Sequence, residues 1–176
     1  SQVKYEIDPS HGGLVVDRFL PDDHRYPAHY GGLPSVYASD GDLLDVMVIS
    51  KHRLQPGALI EVRPIGLARM LDGGERDDKI LAIPLTQFEG VPEGSSISDW
   101  LGRDMTQAIA SFFKGYKHAE NKDNPIKWQG YGSSSEAKQV IQQAMTKMPQ
   151  ANQPQTHLPP AHLRQTQSPP SRPVVD

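Results

Sequence analysis

Three apolar runs constrain the fold of this chain more than any other feature: VMVIS from Val46, ALIEVRPIGLARML from Ala58 and KILAIPL from Lys79. They are dense in β-branched and aliphatic residues, the composition that suits a pleated, partly buried surface. Ahead of them, VKYEI alternates Val3, Tyr5 and Ile7 with Lys4 and Glu6, so a strand there puts Lys4 and Glu6 on one face. A Gly12-Gly13 turn then leads into LVVDRFL, the second arm of a hairpin. The first half of the chain is therefore expected to be five strands.

Two helical patterns follow. From Asp99 to about Tyr116, Leu101, Met105, Ala108, Ile109 and Phe112 recur at helical spacing, and Ser96 with Asp99 resembles a capping box. A second helix is predicted from Ser134 to Met148, with Ala137, Val140, Ile141, Ala144 and Met145 on one face and Ser133 with Glu136 as its cap. Several short strands and two late helices predict an α+β fold, a five-stranded OB-like β-barrel core with two C-terminal-side helices.

The composition changes at Pro149. Residues 149–176 hold seven of the chain's 16 prolines, many glutamines and few aliphatics. Such a segment buries too little apolar surface to offset its ordering entropy, so a disordered tail is predicted there. Residues 1–148 are left as one folded domain, in keeping with a chain of 176 residues. No segment reaches the roughly 20 apolar residues of a membrane span, and SQVKYEID lacks the apolar region of a signal peptide. A net charge of −3 argues against a nucleic-acid-binding face. The absence of cysteine excludes disulfides and thiolate metal sites.

In SDGDLLDVMVIS, Asp40, Asp42 and Asp45 crowd just ahead of an apolar strand. Like charges so placed repel unless cations neutralise them, although Ser-Asp-Gly-Asp is also ordinary turn chemistry. A tight turn would bring the three within about 10 Å at a strand rise of about 3.3 Å per residue. Their oxygens select Mg²⁺, Mn²⁺ or Ca²⁺. An EF-hand is excluded because Leu43, Leu44 and Val46 occupy loop positions that should be polar or glycine. A second acidic cluster, LDGGERDDK, contains Asp72, Glu75, Asp77 and Asp78, and alone reads as a solvated hairpin loop. There is no P-loop motif and no zinc-binding spacing among the histidines. Lys4, Arg18, Tyr26, Tyr30, Lys79, Tyr116 and Lys117 each read singly as surface or boundary residues. Carboxylates that hold Mg²⁺, opposed by Lys and Arg, would suit a phosphate-rich substrate, because Mg²⁺ commonly shares its coordination with phosphates. A hydrolase of organic diphosphates and an OB-like binding module remain alternatives at this point.

The order KYEID, VDRFL, YPAHYG, DGDLLDV, RPIGLARMLDGGERDDK, FFKGYK, KWQGYG resembles family I soluble inorganic pyrophosphatase, from about Lys4 to Met145. The resemblance implies hydrolysis of pyrophosphate by direct attack of water activated by Mg²⁺, with Mn²⁺ as an alternative ion. It implies Asp42 as general base and Tyr30 as a second catalytic-site residue. Asp40, Asp45, Asp72, Asp77 and Glu6 match metal-binding positions. Lys4, Arg18, Lys79, Tyr116 and Lys117 match phosphate-binding positions, and Tyr26 matches a neighbouring wall residue. A homo-oligomer, commonly a hexamer, is implied too; a cytoplasmic location is expected from the missing targeting signals, and the charge and hydropathy above predict neither nucleic-acid nor membrane partners.

Against the family pattern, no counterpart of an upstream glutamate-bearing strand precedes Lys4, so one barrel strand is expected to be missing and an inactive or truncated scaffold is the alternative. Leu43 stands where Pro or Glu is usual, Gly73 where Glu is frequent, and His29 where Asn is common.

Overall fold

The structure, a computed structural model, describes residues 2–8, 13–21, 24–87, 91–92, 94–115 and 126–146. The predicted tail from residue 149 lies outside them.

Strands β1 (Val3–Asp8) and β2 (Gly13–Phe19) form the antiparallel hairpin anticipated from the alternation. The other strands form one mixed sheet: β3 (His29–Tyr37), β4 (Leu43–Val48), β5 (Val62–Asp72), the two-residue β6 (Glu75–Arg76), β7 (Lys79–Pro84) and β8 (Lys127–Ser133). Its long strands run β3-β4-β7-β5-β8, with β6 folded back on the end of β5. Only β4 and β7 are parallel neighbours; the rest are antiparallel.

Period-two alternation, not overall hydrophobicity, builds the centre of this sheet. Met47 on β4 and Ile49 just beyond its end, with Leu81 and Ile83 on β7, face one side and pack with Ile97, Trp100, Ile109, Phe112 and Phe113 of α1 (Ile97–Gly115). Val46, Val48, Ile80 and Ala82 face the other and pack with Ala137 and Ala144 of α2 (Ser134–Thr146). Every residue of β7 is buried, as a strand covered on both faces must be. On β5, Ile65 joins the first cluster and Leu67 the second, although two residues apart they would normally share a face. A register shift between Pro64 and Gly66 accounts for the switch.

Both helix caps form as the sequence indicates. Ser96 Oγ accepts the Asp99 N–H at 3.2 Å, while Asp99 Oδ2 accepts the Ser96 N–H at 2.9 Å. Ser133 and Glu136 repeat the arrangement at 3.3 and 2.8 Å. Helix α1 is not continuous, however. Gly102 sits at φ 76 and ψ 166, a conformation essentially reserved for glycine, and breaks the helix after one turn. Leu101 and Met105 still pack against the core beside Ile109 and Phe112, while Ala108 is exposed. On α2 the buried line runs through Ala137 and Ala144, and Met145, one position round the helix, is 56% exposed.

The α+β class stands, with one correction to the strand set. β1 and β2 pair with each other and do not enter the main sheet, and no pairing among the described residues closes a barrel. Their places are taken by β3 and β8, which the sequence reading did not identify as strands. HYGGLPSVY and KWQGYGS carry glycines and a proline that weaken strand propensity. In β3 the proline, Pro34, occupies an irregularity between Gly32 and Tyr37, with Ser35 at φ 61, while Gly31 and Gly32 stay in the ladder. The hairpin stands apart with Tyr5, Ile7, Leu14, Val16 and Phe19 all exposed, Phe19 to 74%.

Two outcomes follow for stability. A Cβ at Gly66 would lie 2.5 Å from the Gly132 carbonyl oxygen and 2.3 Å from Ile97 Cδ1. Gly66→Ala should therefore cost about 1–3 kcal/mol in denaturant unfolding, whereas Gly31→Ala, with nothing within 4 Å of the new methyl, should leave the midpoint nearly unchanged. The Ser96 and Ser133 hydrogen bonds hold the Asp99 and Glu136 carboxyls below their ordinary values. A carboxyl depressed on folding contributes stability above its unfolded pKa of about 4, and that contribution is lost as pH falls through the folded value. Ser133→Ala should lower the melting temperature at pH 7, with the difference from wild type shrinking as pH falls below about 4.

Candidate active site

The alternation that buries Met47 and Leu81 beneath α1 continues toward the N-terminal ends of these two parallel strands and there becomes polar. Asp45 lies two residues before Met47, Lys79 two before Leu81, and Asp77 two before Lys79. Lys79 Nζ donates to Asp45 Oδ2 and to Asp77 Oδ1, both at 2.5 Å. The residue is almost wholly buried, at 6% exposure. Burial would pull the Lys79 pKa down, but the attraction of Asp45 and Asp77 outweighs it, and the net shift is upward. The lysine stays charged at neutral pH.

Tyr30 on β3 lies opposite Met47, and Gly32 opposite Asp45, which brings the Tyr30 phenol to Asp45. Burial raises the phenol pKa well above 10, helped by the Asp45 charge and a hydrogen bond to that carboxylate. Tyr30 is thus a neutral O–H donor throughout the physiological range. Its ring is wedged by Tyr26, centroids 5.0 Å apart, and Tyr26 in turn by Phe112 at 4.8 Å. That aromatic run ties the site to the core under α1 and fixes a side chain that would otherwise rotate.

The hairpin carries a second charged cluster. Lys4 Nζ lies 2.5 Å from Glu6 Oε1 and 3.1 Å from Asp17 Oδ2, while Arg18 Nε lies 3.3 Å from the same Asp17 oxygen. The Lys4–Glu6 contact is the shared face expected from VKYEI. Asp17 was not singled out in the sequence reading. It enters because Lys4 pairs with Arg18 and Tyr5 with Val16, so Asp17 is the extra residue of a bulge. Alternation alone does not reveal that.

Asp40 and Asp42 lie exposed in the turn before β4, where Asp40 Oδ1 accepts the Asp42 N–H at 3.0 Å. Asp72 ends β5 and pairs with Glu75 across the Gly73-Gly74 turn, both glycines at positive φ. Such a two-residue turn requires positive φ at both positions, which explains glycine at 73. Leu43 packs on Gly32, where a Cβ would meet it at 2.8 Å. His29 Nε2 lies 3.0 Å from the His52 carbonyl oxygen. Tyr116 and Lys117 lie outside the described residues.

The structure therefore brings together Asp45, Asp77, Lys79 and Tyr30 in one place, and Lys4, Glu6 and Arg18 in another. Among the described residues no group of three or more His, Asp and Glu side chains converges as a metal site. The donor chemistry nevertheless fits a hard divalent cation: Asp45 and Asp77 offer carboxylate oxygens 2.5 Å from one shared positive charge. No described helix is long and apolar enough to cross a membrane.

Oxygen donors around a shared cation, with further cations on the hairpin, suit a phosphate-bearing anion. The comparisons with known proteins give this site its family. The family model described as inorganic pyrophosphatase matches residues 1–149. An inorganic pyrophosphatase of Caulobacter vibrioides is 41% identical over 145 residues, 81% of this chain and 80% of that protein. One of Sulfolobus acidocaldarius is 41% identical over 152 residues, covering 84% and 85%. The solved structure of an inorganic pyrophosphatase from Coxiella burnetii superposes with a TM-score of 0.75 at 36% identity, covering 84% of this chain and 88% of that one. The chain belongs to the inorganic pyrophosphatase family.

Lys79→Met would leave Asp45 and Asp77 facing each other without their shared cation. The variant should lose about 1–3 kcal/mol in metal-free buffer. Millimolar Mg²⁺ should raise its melting temperature more than that of wild type, since like charges brought together are relieved by a cation. An equal Mg²⁺ response in the two proteins would count against a cation site at this carboxylate pair.

Proposed function

We propose that this protein hydrolyses inorganic pyrophosphate to two phosphates, at a site centred on Asp45, Asp77, Lys79 and Tyr30. The observation that carries the reading is that these four side chains converge in a chain matched over residues 1–149 by the inorganic pyrophosphatase family.

Asp45 and Asp77, with Asp40, Asp42 and Asp72 beside them in sequence, are the residues that would hold Mg²⁺, or Mn²⁺ in its place. When bound, the ion neutralises phosphate charge and lowers the pKa of water. Lys79, kept protonated by its two carboxylates, offers a positive charge to a phosphoryl oxygen. Tyr30, kept neutral by burial, can turn its O–H from Asp45 toward the same anion. Asp42, exposed on a turn rather than committed to an ion pair in the core, is the proton acceptor for the attacking water. Lys4 and Arg18, with Glu6, are assigned to the diphosphate and its accompanying cation, and Tyr116 and Lys117 to the leaving phosphate. Direct attack by water needs no covalent enzyme intermediate. The OB-like barrel, the 1–148 domain boundary, a cytoplasmic location and a hexameric assembly belong to the same reading.

The test is phosphate release from pyrophosphate with Mg²⁺ and with chelator. Turnover should require the ion and should fall by about 10²-fold or more in Asp42→Asn. Nucleoside diphosphates should release little phosphate. Metal-independent turnover, or an Asp42→Asn variant as fast as wild type, would overturn the mechanism.

A further inference from the structure

Asp78 lies between the two site residues Asp77 and Lys79 yet points away from them. In the extended chain that enters β7, Asp77 and Lys79 face α1, so the residue between them must face the opposite side. There its side chain is 5% exposed. Oδ1 accepts the backbone N–H of Met70 at 3.2 Å, and the Arg76 Nε lies 2.9 Å from Oδ2. The Met70 carbonyl accepts the Asp77 N–H at 3.0 Å. Both backbone groups of Met70 are thereby taken by the Asp77-Asp78 pair.

The register explains why a side chain is needed there. Backbone pairing on this side of β5 is interrupted between Ala68, opposite Lys79, and Leu71, opposite Arg76, and Met70 lies in that gap across from Asp77. Asp78 supplies the Met70 N–H with the acceptor that a strand carbonyl would otherwise have supplied. The stretch carrying Asp77 is thereby held to β5 through the gap between the two paired segments. Without the Asp78 carboxylate, the Met70 N–H would lose this acceptor and the gap beside Asp77 and Lys79 would loosen.

We propose that Asp78 is a positioning residue: it holds Asp77 and Lys79 in register with Asp45 without touching substrate. The proposal rests on the pyrophosphatase reading for its kinetic consequence but not for its structural one. Asp78→Asn keeps an oxygen acceptor for the Met70 N–H, whereas Asp78→Ala removes it.

The experiment compares wild type, Asp78→Ala and Asp78→Asn by amide hydrogen exchange at Met70 in metal-free buffer. It then measures kcat and KM for pyrophosphate with Mg²⁺, normalised to folded protein. Asp78→Ala should speed Met70 exchange at least tenfold and lower kcat about tenfold with KM within twofold, while Asp78→Asn restores most of both. A variant that merely melts earlier, with wild-type kcat per folded molecule, would overturn the positioning role, as would unchanged Met70 exchange. Wild type that released no phosphate would sink the pyrophosphatase reading instead, and Met70 exchange alone would then decide whether Asp78 pins the segment.

Discussion

Everything in this molecule depends on the strict alternation of β4 and β7, two parallel neighbours buried on both faces. Because successive side chains point to opposite sides, Val46 and Val48 commit one face to α2, while Met47 and Ile49 commit the other to α1. A shift of one residue in either strand would move every one of these side chains to the wrong helix. The register is therefore held by the whole core rather than by any single contact. Fully buried side chains such as Phe113, Met47 and Leu81 each contribute about 1.5–3 kcal/mol toward holding it.

The site inherits this precision. Asp45, Lys79 and Asp77 continue the α1-facing row past the end of the apolar core, so the parity that places Met47 and Leu81 also places the charges. The 2.5 Å contacts of Lys79 with both carboxylates need no flexible loop to find them. Tyr30 reaches the row from β3 because it is paired opposite Met47. The aromatic contacts through Tyr26 to Phe112 then lock it from behind. Charge is tolerated in so buried a place because ammonium, carboxylates and phenol satisfy one another.

The hairpin is different in kind. An isolated pair of strands is marginally stable in water, and here it presents Tyr5, Ile7, Leu14, Val16 and Phe19 to solvent while its other face gathers Lys4, Glu6, Asp17 and Arg18. On that face Lys4 meets Glu6 and Asp17, and Arg18 meets Asp17.

Much was legible in the residues themselves. The hairpin, the strands β4, β5 and β7, both capping boxes and the glycine turn after Asp72 all follow from patterns spanning fewer than about a dozen residues, which is the range over which periodicity and turn chemistry act. The ordered motifs identified the family and named Asp45, Asp77, Lys79 and Tyr30. What remained for the tertiary structure was whatever depends on long-range pairing. HYGGLPSVY and KWQGYGS become strands only because β4 and β5 offer them edges, against their own glycines and proline. Gly102 breaks α1, and the register shift at Pro64–Gly66 sends Ile65 and Leu67 to opposite cores. The bulge that lays Asp17 over Lys4, and the gap in β5 pairing between Ala68 and Leu71 that turns Asp78 into a pin, are likewise invisible in a linear string. The sequence determined the local periods and the chemical groups; the pairing partner of each strand, which only the folded chain possesses, decided which of those groups meet.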